Sequence, residues 1–209
     1  MNKPEVSKEQ LTKIADHLKP YVHRTPVLTS SLLNRNTGCN LFFKCENFQK
    51  TGSFKIRGAM NAVLSKTDDE LKRGVVTHSS GNFAQALAYA ASCREVKAKI
   101  VMPEGEKKKK RDAVLGYGAE IIYSGNMPLD RETKCAEVIE ETGALFIHPS
   151  NDINVIFGHS SCAIELANDA EDLDFVFCPV GGGGLISGIA LGMKAYSPRT
   201  KIIAGEPLN

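Results

Sequence analysis

The 209-residue chain carries 26 basic and 24 acidic side chains, a formal net charge of +2, and is 42% apolar. That balance excludes the basic footprint of a nucleic-acid binder and gives no electrostatic reason to sit on a membrane, so the expected partner is a small molecule. The length suits one large or two small domains. The charged start, Met1-Asn2-Lys3-Pro4-Glu5, is no signal core and no apolar run is long enough to span a membrane, which predicts a cytoplasmic protein. Six cysteines without CxxC spacing read as buried reduced thiols, not as zinc ligands or a disulfide frame.

Leu11, Ile14, Ala15 and Leu18 fall at helical spacing behind Ser7 and predict a helix over 7–19, ended by Pro20. Residues 24–33 read as a turn, a short extended piece and a helix start, and residues 40–46 as a strand. From Gly74 short apolar runs alternate with helical segments: strands over 75–77, 98–102, 120–123 and 144–147, with helices over 84–91, 109–115 and 130–141 between them. Strands separated by helices require right-handed crossovers and a parallel sheet. The fold class expected is α/β, with a compact four-stranded unit over 74–149 inserted into a second, larger domain formed by 1–73 and 150–209. That domain continues with a helix over 160–167, a buried strand over 174–180, four consecutive glycines and a helix over 186–195. The run Lys107-Lys108-Lys109-Lys110-Arg111 has no interleaved aromatics and reads as a solvated helix start.

Three stretches carry chemistry. In Gln49-Lys50-Thr51-Gly52-Ser53-Phe54-Lys55-Ile56-Arg57-Gly58 a lysine stands at a helix start, where the macrodipole disfavours a cation; desolvation and that dipole would lower its pKa and free the amine for attack. Gly181 through Gly184, between a buried strand and a helix, offer backbone N–H groups that can converge on a phosphate. The stretch matches neither a P-loop nor the spaced glycines of dinucleotide folds. Ser79-Ser80-Gly81-Asn82 repeats the strand–turn–helix logic of a second anion-binding turn, although taken alone it is also an ordinary cap, and caps are commoner than sites. A phosphate cradle, a second anion site and an activated lysine together suit pyridoxal phosphate, with Lys55 as the Schiff-base amine.

With Ser53-Phe54-Lys55-Ile56-Arg57-Gly58, Ser79-Ser80-Gly81-Asn82 and Pro179-Val180-Gly181-Gly182-Gly183-Gly184-Leu185 in that order, the chain resembles the serine racemase and serine/threonine dehydratase family of fold-type II pyridoxal phosphate enzymes, from about residue 25 to 206. The resemblance implies two open parallel-sheet α/β domains, of which the larger would be incomplete here. It implies that Lys55 and Ser80 are the acid/bases on opposite faces of the substrate Cα, and that Phe54 flanks the cofactor ring. Asn82 would bond the ring hydroxyl, and Gly181, Gly182, Gly183, Gly184 and Leu185 would hold the phosphate. Ser79, Ser80, Asn82 and Arg131 would meet the substrate. Ser80 favours the racemase branch, because biosynthetic threonine dehydratases usually carry alanine at the matching position and lack a proton donor on that face. The same resemblance implies a homodimer with a nucleotide effector such as ATP near Ser30, Ser31, Lys50, Thr51 and Tyr117. It also implies a divalent cation, Mg2+, Ca2+ or Mn2+, at Glu206.

Two departures stand out. Phe83 replaces the family's usual histidine after Asn82, and Gly158-His159-Ser160-Ser161 replaces Gly-Gln-Gly-Thr ahead of a helix, which would alter a cap. Relatives also continue well past residue 209, supplying the partner of the pyridine nitrogen; without those strands an apolar sheet face would be exposed. The alternatives to a serine racemase with serine and threonine dehydratase activity are therefore a non-catalytic paralogue serving as a binding or dimerisation module, a threonine or 3-hydroxyaspartate ammonia-lyase, and, less in keeping with its glycines, a nucleotide-binding module.

Overall fold

The computed structural model describes residues 6–207. The chain opens with α1 (Lys8–Leu18), whose Ser7 and Gln10 form a reciprocal capping box. β1 (Val27–Thr29), α2 (Ser31–Thr37) and β2 (Phe42–Lys44) follow, then α3 (Lys55–Leu64) and the short α4 (Asp68–Leu71). Next come β3 (Val75–His78), α5 (Asn82–Cys93), β4 (Ala98–Pro103), α6 (Lys108–Gly116), β5 (Glu120–Ser124), α7 (Pro128–Thr142) and β6 (Leu145–Phe146). The chain continues with α8 (Ile153–Asp169), β7 (Phe175–Pro179), α9 (Gly184–Tyr196) and β8 (Lys201–Gly205).

β3 to β6 form one four-stranded parallel sheet in the order β5-β4-β3-β6, with Val75 opposite both Ala98 and Leu145. The chain thus leaves β3 toward one side of the sheet and returns on the other. The crevice beyond the carboxyl ends of β3 and β6 is the topological switch point, where open α/β sheets bind ligands. β7 and β8 pair in parallel. β1 and β2, on either side of α2, pair antiparallel, with Leu28 opposite Phe43.

A common core joins the sheet to the helices before it. Ile56, Met60 and Val63 of α3 pack in one buried cluster with Phe83, Ala84 and Leu87 of α5 and Val75, Ile100 and Met102 of the sheet. A second cluster, with Cys162, Leu166, Val176, Ile189 and Met193, lies between α8, α9 and β7.

α3 begins at Lys55, where the sequence places a helix start, but α8 starts earlier than its pattern indicates, at Ile153 behind Asp152, whose carboxylate takes the N–H groups of Asn154 and Val155. Gly158-His159-Ser160-Ser161 is therefore mid-helix and not a cap. Its small residues serve close packing: a Cβ on Gly158 would collide with the backbone of Arg57, and one on Gly58 would stand 2.5 Å from His159 Cε1. Gly188 and Gly192 of α9 meet the other side of α8 in the same way.

Arg57, with no exposed surface, anchors this crossing. Its guanidinium donates to Glu46 Oε2 at 2.8 Å and to Glu165 Oε1 at 2.7 Å, and Lys44 Nζ reaches Glu165 Oε2 at 2.7 Å. Such a buried network holds only when every charge is paired. Cys135, Cys162 and Cys178 are buried thiols as expected, whereas Cys45 is half-buried and Cys39, past the cap of α2, and Cys93, at the end of α5, are exposed at the surface. Phe175 and Phe177 alternate outward on β7 beside Ile203 of β8, leaving an apolar sheet face open. Among the described residues no helix is long and apolar enough to cross a membrane.

Candidate active site

Lys55, the first residue of α3, donates from Nζ to Pro149 O at 2.8 Å. Its amine lies 5.2 Å from the centre of the Phe54 ring and 5.7 Å from that of Phe83. Half-burial against these rings removes water from the ammonium and lowers its pKa, which raises the share of free amine at neutral pH. Phe83 is core, 2% exposed, so where the sequence suggests a polar contact replaced by a ring, the ring instead dries the lysine.

The next residue joins the lysine to the glycine run. Ser150 packs on Gly182 and Gly184: a Cβ on Gly182 would collide with Ser150 Oγ, and one on Gly184 would lie 2.9 Å from Ser150 O. His148 sets this segment, its Nδ1 accepting the N–H groups of Ser150 at 3.1 Å and Asn151 at 2.8 Å. Nδ1 must therefore be unprotonated and the neutral ring must carry its proton on Nε2. Desolvation lowers the pKa of His148 and keeps it in that state.

Gly183 has φ +79 and precedes α9, a backbone that glycine adopts without steric cost. A Cβ on Gly181 or Gly183 would meet nothing within 4 Å, so the loop faces open space on that side. Among the described residues none of the loop's N–H groups from Gly181 to Leu185 enters the backbone hydrogen bonds outside helices and strands. The loop is thus a bare set of donors at a helix N-terminus, suited to a phosphate.

Ser79, Ser80 and Gly81 turn from β3 into α5, which starts at Asn82. Ser79 N–H extends the ladder to Val101 O at 3.1 Å, and Gly81 N–H reaches Ser79 Oγ at 3.3 Å. Asn82 is exposed. Arg131, in the first turn of α7, has a buried Nε without a partner, and His78 at the end of β3 lies within its electrostatic reach. An unpaired buried guanidinium N–H is a donor awaiting an acceptor. The segments 79–82 and 148–150 both emerge at the switch point of the sheet.

The nucleotide candidates divide. Lys50 Nζ lies 5.8 Å from the Tyr89 ring, and Tyr89 meets Tyr117 edge to face at 5.3 Å. Thr51, beside them, has φ +61, a costly setting for a β-branched residue, and its hydroxyl is buried without a partner. Ser30 instead caps α2 through Leu33 N–H, and Ser31 opens that helix, exposed. Glu206 is exposed beyond β8, and among the described residues no cluster of three or more His, Cys, Asp or Glu side chains could hold a metal.

His148, Pro149 and Ser150 are the residues that sequence reasoning missed. Pro149 acts through its backbone carbonyl, which leaves no mark in sequence; the one available signal was their position just after the strand run 144–147.

The profile of the pyridoxal-phosphate dependent enzyme family matches residues 18–209. A serine racemase of Arabidopsis thaliana is 50% identical over 92% of this chain and 58% of its own length. A beta-hydroxyaspartate dehydratase of Paracoccus denitrificans is 46% identical over 95% of this chain and 63% of its own length. The crystal structure of serine racemase from Dictyostelium discoideum superposes with a TM-score of 0.92 at 44% identity, covering 97% of this chain and 66% of that one. The fold is that of a fold-type II pyridoxal phosphate enzyme, and the chain belongs to the pyridoxal-phosphate dependent enzyme family. It spans about three-fifths of the length of the curated relatives it matches. The residues present fit the cofactor: a half-buried amine of lowered pKa for an aldehyde, and open backbone donors for a phosphate.

Proposed function

We propose that this chain carries the catalytic residues of a serine racemase with associated serine and threonine dehydratase activity, in a large domain formed by 1–73 and 150–209 and a small inserted domain over 74–149. The observation that carries this reading is the dried Lys55 amine, held at 2.8 Å by Pro149 O, with the next residue packed on the glycine loop. Gly181 to Leu185 would bind the phosphate, Phe54 would flank the ring, and Asn82 would bond its hydroxyl. Pyridoxal phosphate, when bound, supplies the electron sink that acidifies the substrate Cα–H.

Lys55 removes or returns the Cα proton on one face, and Ser80, with Ser79 and Asn82 beside it, serves the opposite face. Arg131, with its unpaired Nε, would take the substrate carboxylate. Inversion needs both faces; loss of the β-hydroxyl, giving pyruvate and ammonia, needs only the first. The Paracoccus relative supports a second reading, an ammonia-lyase acting on 3-hydroxyaspartate, at the same site.

We further infer a nucleotide effector, ATP or a similar molecule, at Lys50, Thr51, Tyr89 and Tyr117, a homodimer, a cytoplasmic setting, and a divalent cation for which Glu206 would be one ligand. Chiral analysis of product from L-serine tests the central reading: Ser80→Ala abolishes D-serine and spares part of the pyruvate. Equal loss of both would refute separate faces.

A further inference from the structure

The segment that joins the Lys55 amine to the glycine loop hangs on one imidazole. Pro149 brings no N–H and holds His148 away from helical backbone. The next two N–H groups, of Ser150 and Asn151, both go to His148 Nδ1, at 3.1 and 2.8 Å. Among the described residues neither of them enters a backbone hydrogen bond outside helices and strands. The ring is oriented by its neighbours at the switch point: it meets His78 edge to face at 5.6 Å between centroids and Phe146 at 5.9 Å, and His78 stacks on Phe146 at 5.4 Å. A proton on Nδ1 would turn the acceptor into a donor facing two N–H groups. Charged and titratable groups face the ring from four elements: Lys55 of α3, Glu132 of α7, His78 of β3 and Asp152 ahead of α8. Burial first, and Lys55 with it, holds the ring below 6.5, against Asp152 and Glu132.

We propose that His148 is a positioning residue for the cofactor site: as the neutral Nε2–H imidazole it locks Pro149 and Ser150, and so sets the Lys55 amine against the glycine loop, and its protonation releases them. The inference rests on the assignment of Lys55 and of Gly181 to Leu185 to pyridoxal phosphate made above. Pro149 O holds the amine at 2.8 Å, and Ser150 fills the space beside Gly182 and Gly184, so both ends of the site depend on the two N–H groups that Nδ1 accepts. Cofactor binding is then linked to a proton. The locked form excludes the charged ring, the released form admits it, and as pH falls through 6.5 the released form gains population. Affinity for the cofactor falls with it, by at most about tenfold per pH unit for one proton.

The test titrates the full chain with pyridoxal phosphate by fluorescence at about pH 7.5 and about pH 5.5. His148→Asn places an amide oxygen at the branch point of Nδ1, an acceptor that does not titrate, so the ratio of wild-type to variant affinity falls roughly tenfold between the two conditions. Taking the ratio cancels the titration of Lys55 and of the cofactor phosphate, which both chains share. His148→Leu leaves two N–H groups without an acceptor and binds on the order of tenfold more weakly at the higher pH, where His148→Asn binds like the wild type. A merely structural role would weaken both variants alike at either pH. In the cofactor-free wild type the imidazole nitrogen-15 resonances show the proton on Nε2 at the higher pH, and the Ser150 and Asn151 amides lose exchange protection as the ring titrates. An affinity ratio that does not move with pH, or a ring carrying its proton on Nδ1, overturns the proposal. A wild-type chain that binds no pyridoxal phosphate refutes the cofactor reading and this inference with it, whereas binding with an unmoved ratio refutes the inference alone.

Discussion

Lys55 Nζ and Pro149 O, 94 positions apart in the chain, meet at 2.8 Å, and Ser150 next to that carbonyl fills the space that Gly182 and Gly184 leave by lacking side chains. The amine and the phosphate-type loop are thus set relative to one another by a three-residue segment that itself depends on His148 as a hydrogen-bond acceptor.

Gly182→Ala tests this packing. The added methyl collides with Ser150 Oγ, so the loop must shift, and affinity for pyridoxal phosphate measured by fluorescence titration falls at least tenfold. Ser150→Gly added to Gly182→Ala makes room for the methyl and recovers most of the loss. Failure of the second change to restore binding would place the defect elsewhere.

Arg57→Ala leaves Glu46 and Glu165 without their buried partner and costs about 3–5 kcal/mol in urea unfolding, the range for breaking a buried ion pair. Lys66→Ala, which removes a partly exposed i,i+4 pair with Glu70, costs under about 1 kcal/mol. Equal costs would mean that the Arg57 network is no more than a surface array.

His159 provides a pH signature. It is fully buried, neither ring nitrogen has a partner, and desolvation first, with Lys55 and Arg57 after it, pushes its pKa from 6.5 to about 3. The unfolded imidazole takes up a proton near 6.5 and the folded one does not until about 3, so the unfolded state binds more protons across that window. Stability therefore falls as pH drops from 6.5 toward 3. His159→Gln flattens the slope in urea midpoints measured between pH 6.5 and 4.5; an unchanged slope would assign the acid sensitivity to other groups.

Much of this was legible from local signals. The glycine run and the lysine at a helix start announced themselves because each is a poor choice for stability alone, and the alternation after Gly74 gave the parallel sheet. Other parts were hidden for physical reasons. Gly158 inside α8 reads as a breaker, yet it is required by the close approach of Arg57, so the helix start at Asp152 was obscured by a tertiary demand. Phe83 read as a lost polar group because its direction into the core is set by α5 packing on α3.

The most direct measurement of the central claim is to add pyridoxal phosphate to the purified chain, reduce with borohydride and map the modified residue by mass spectrometry. The account predicts a single pyridoxyl label on Lys55, lost in Lys55→Ala. A label on another lysine, or none, would contradict it.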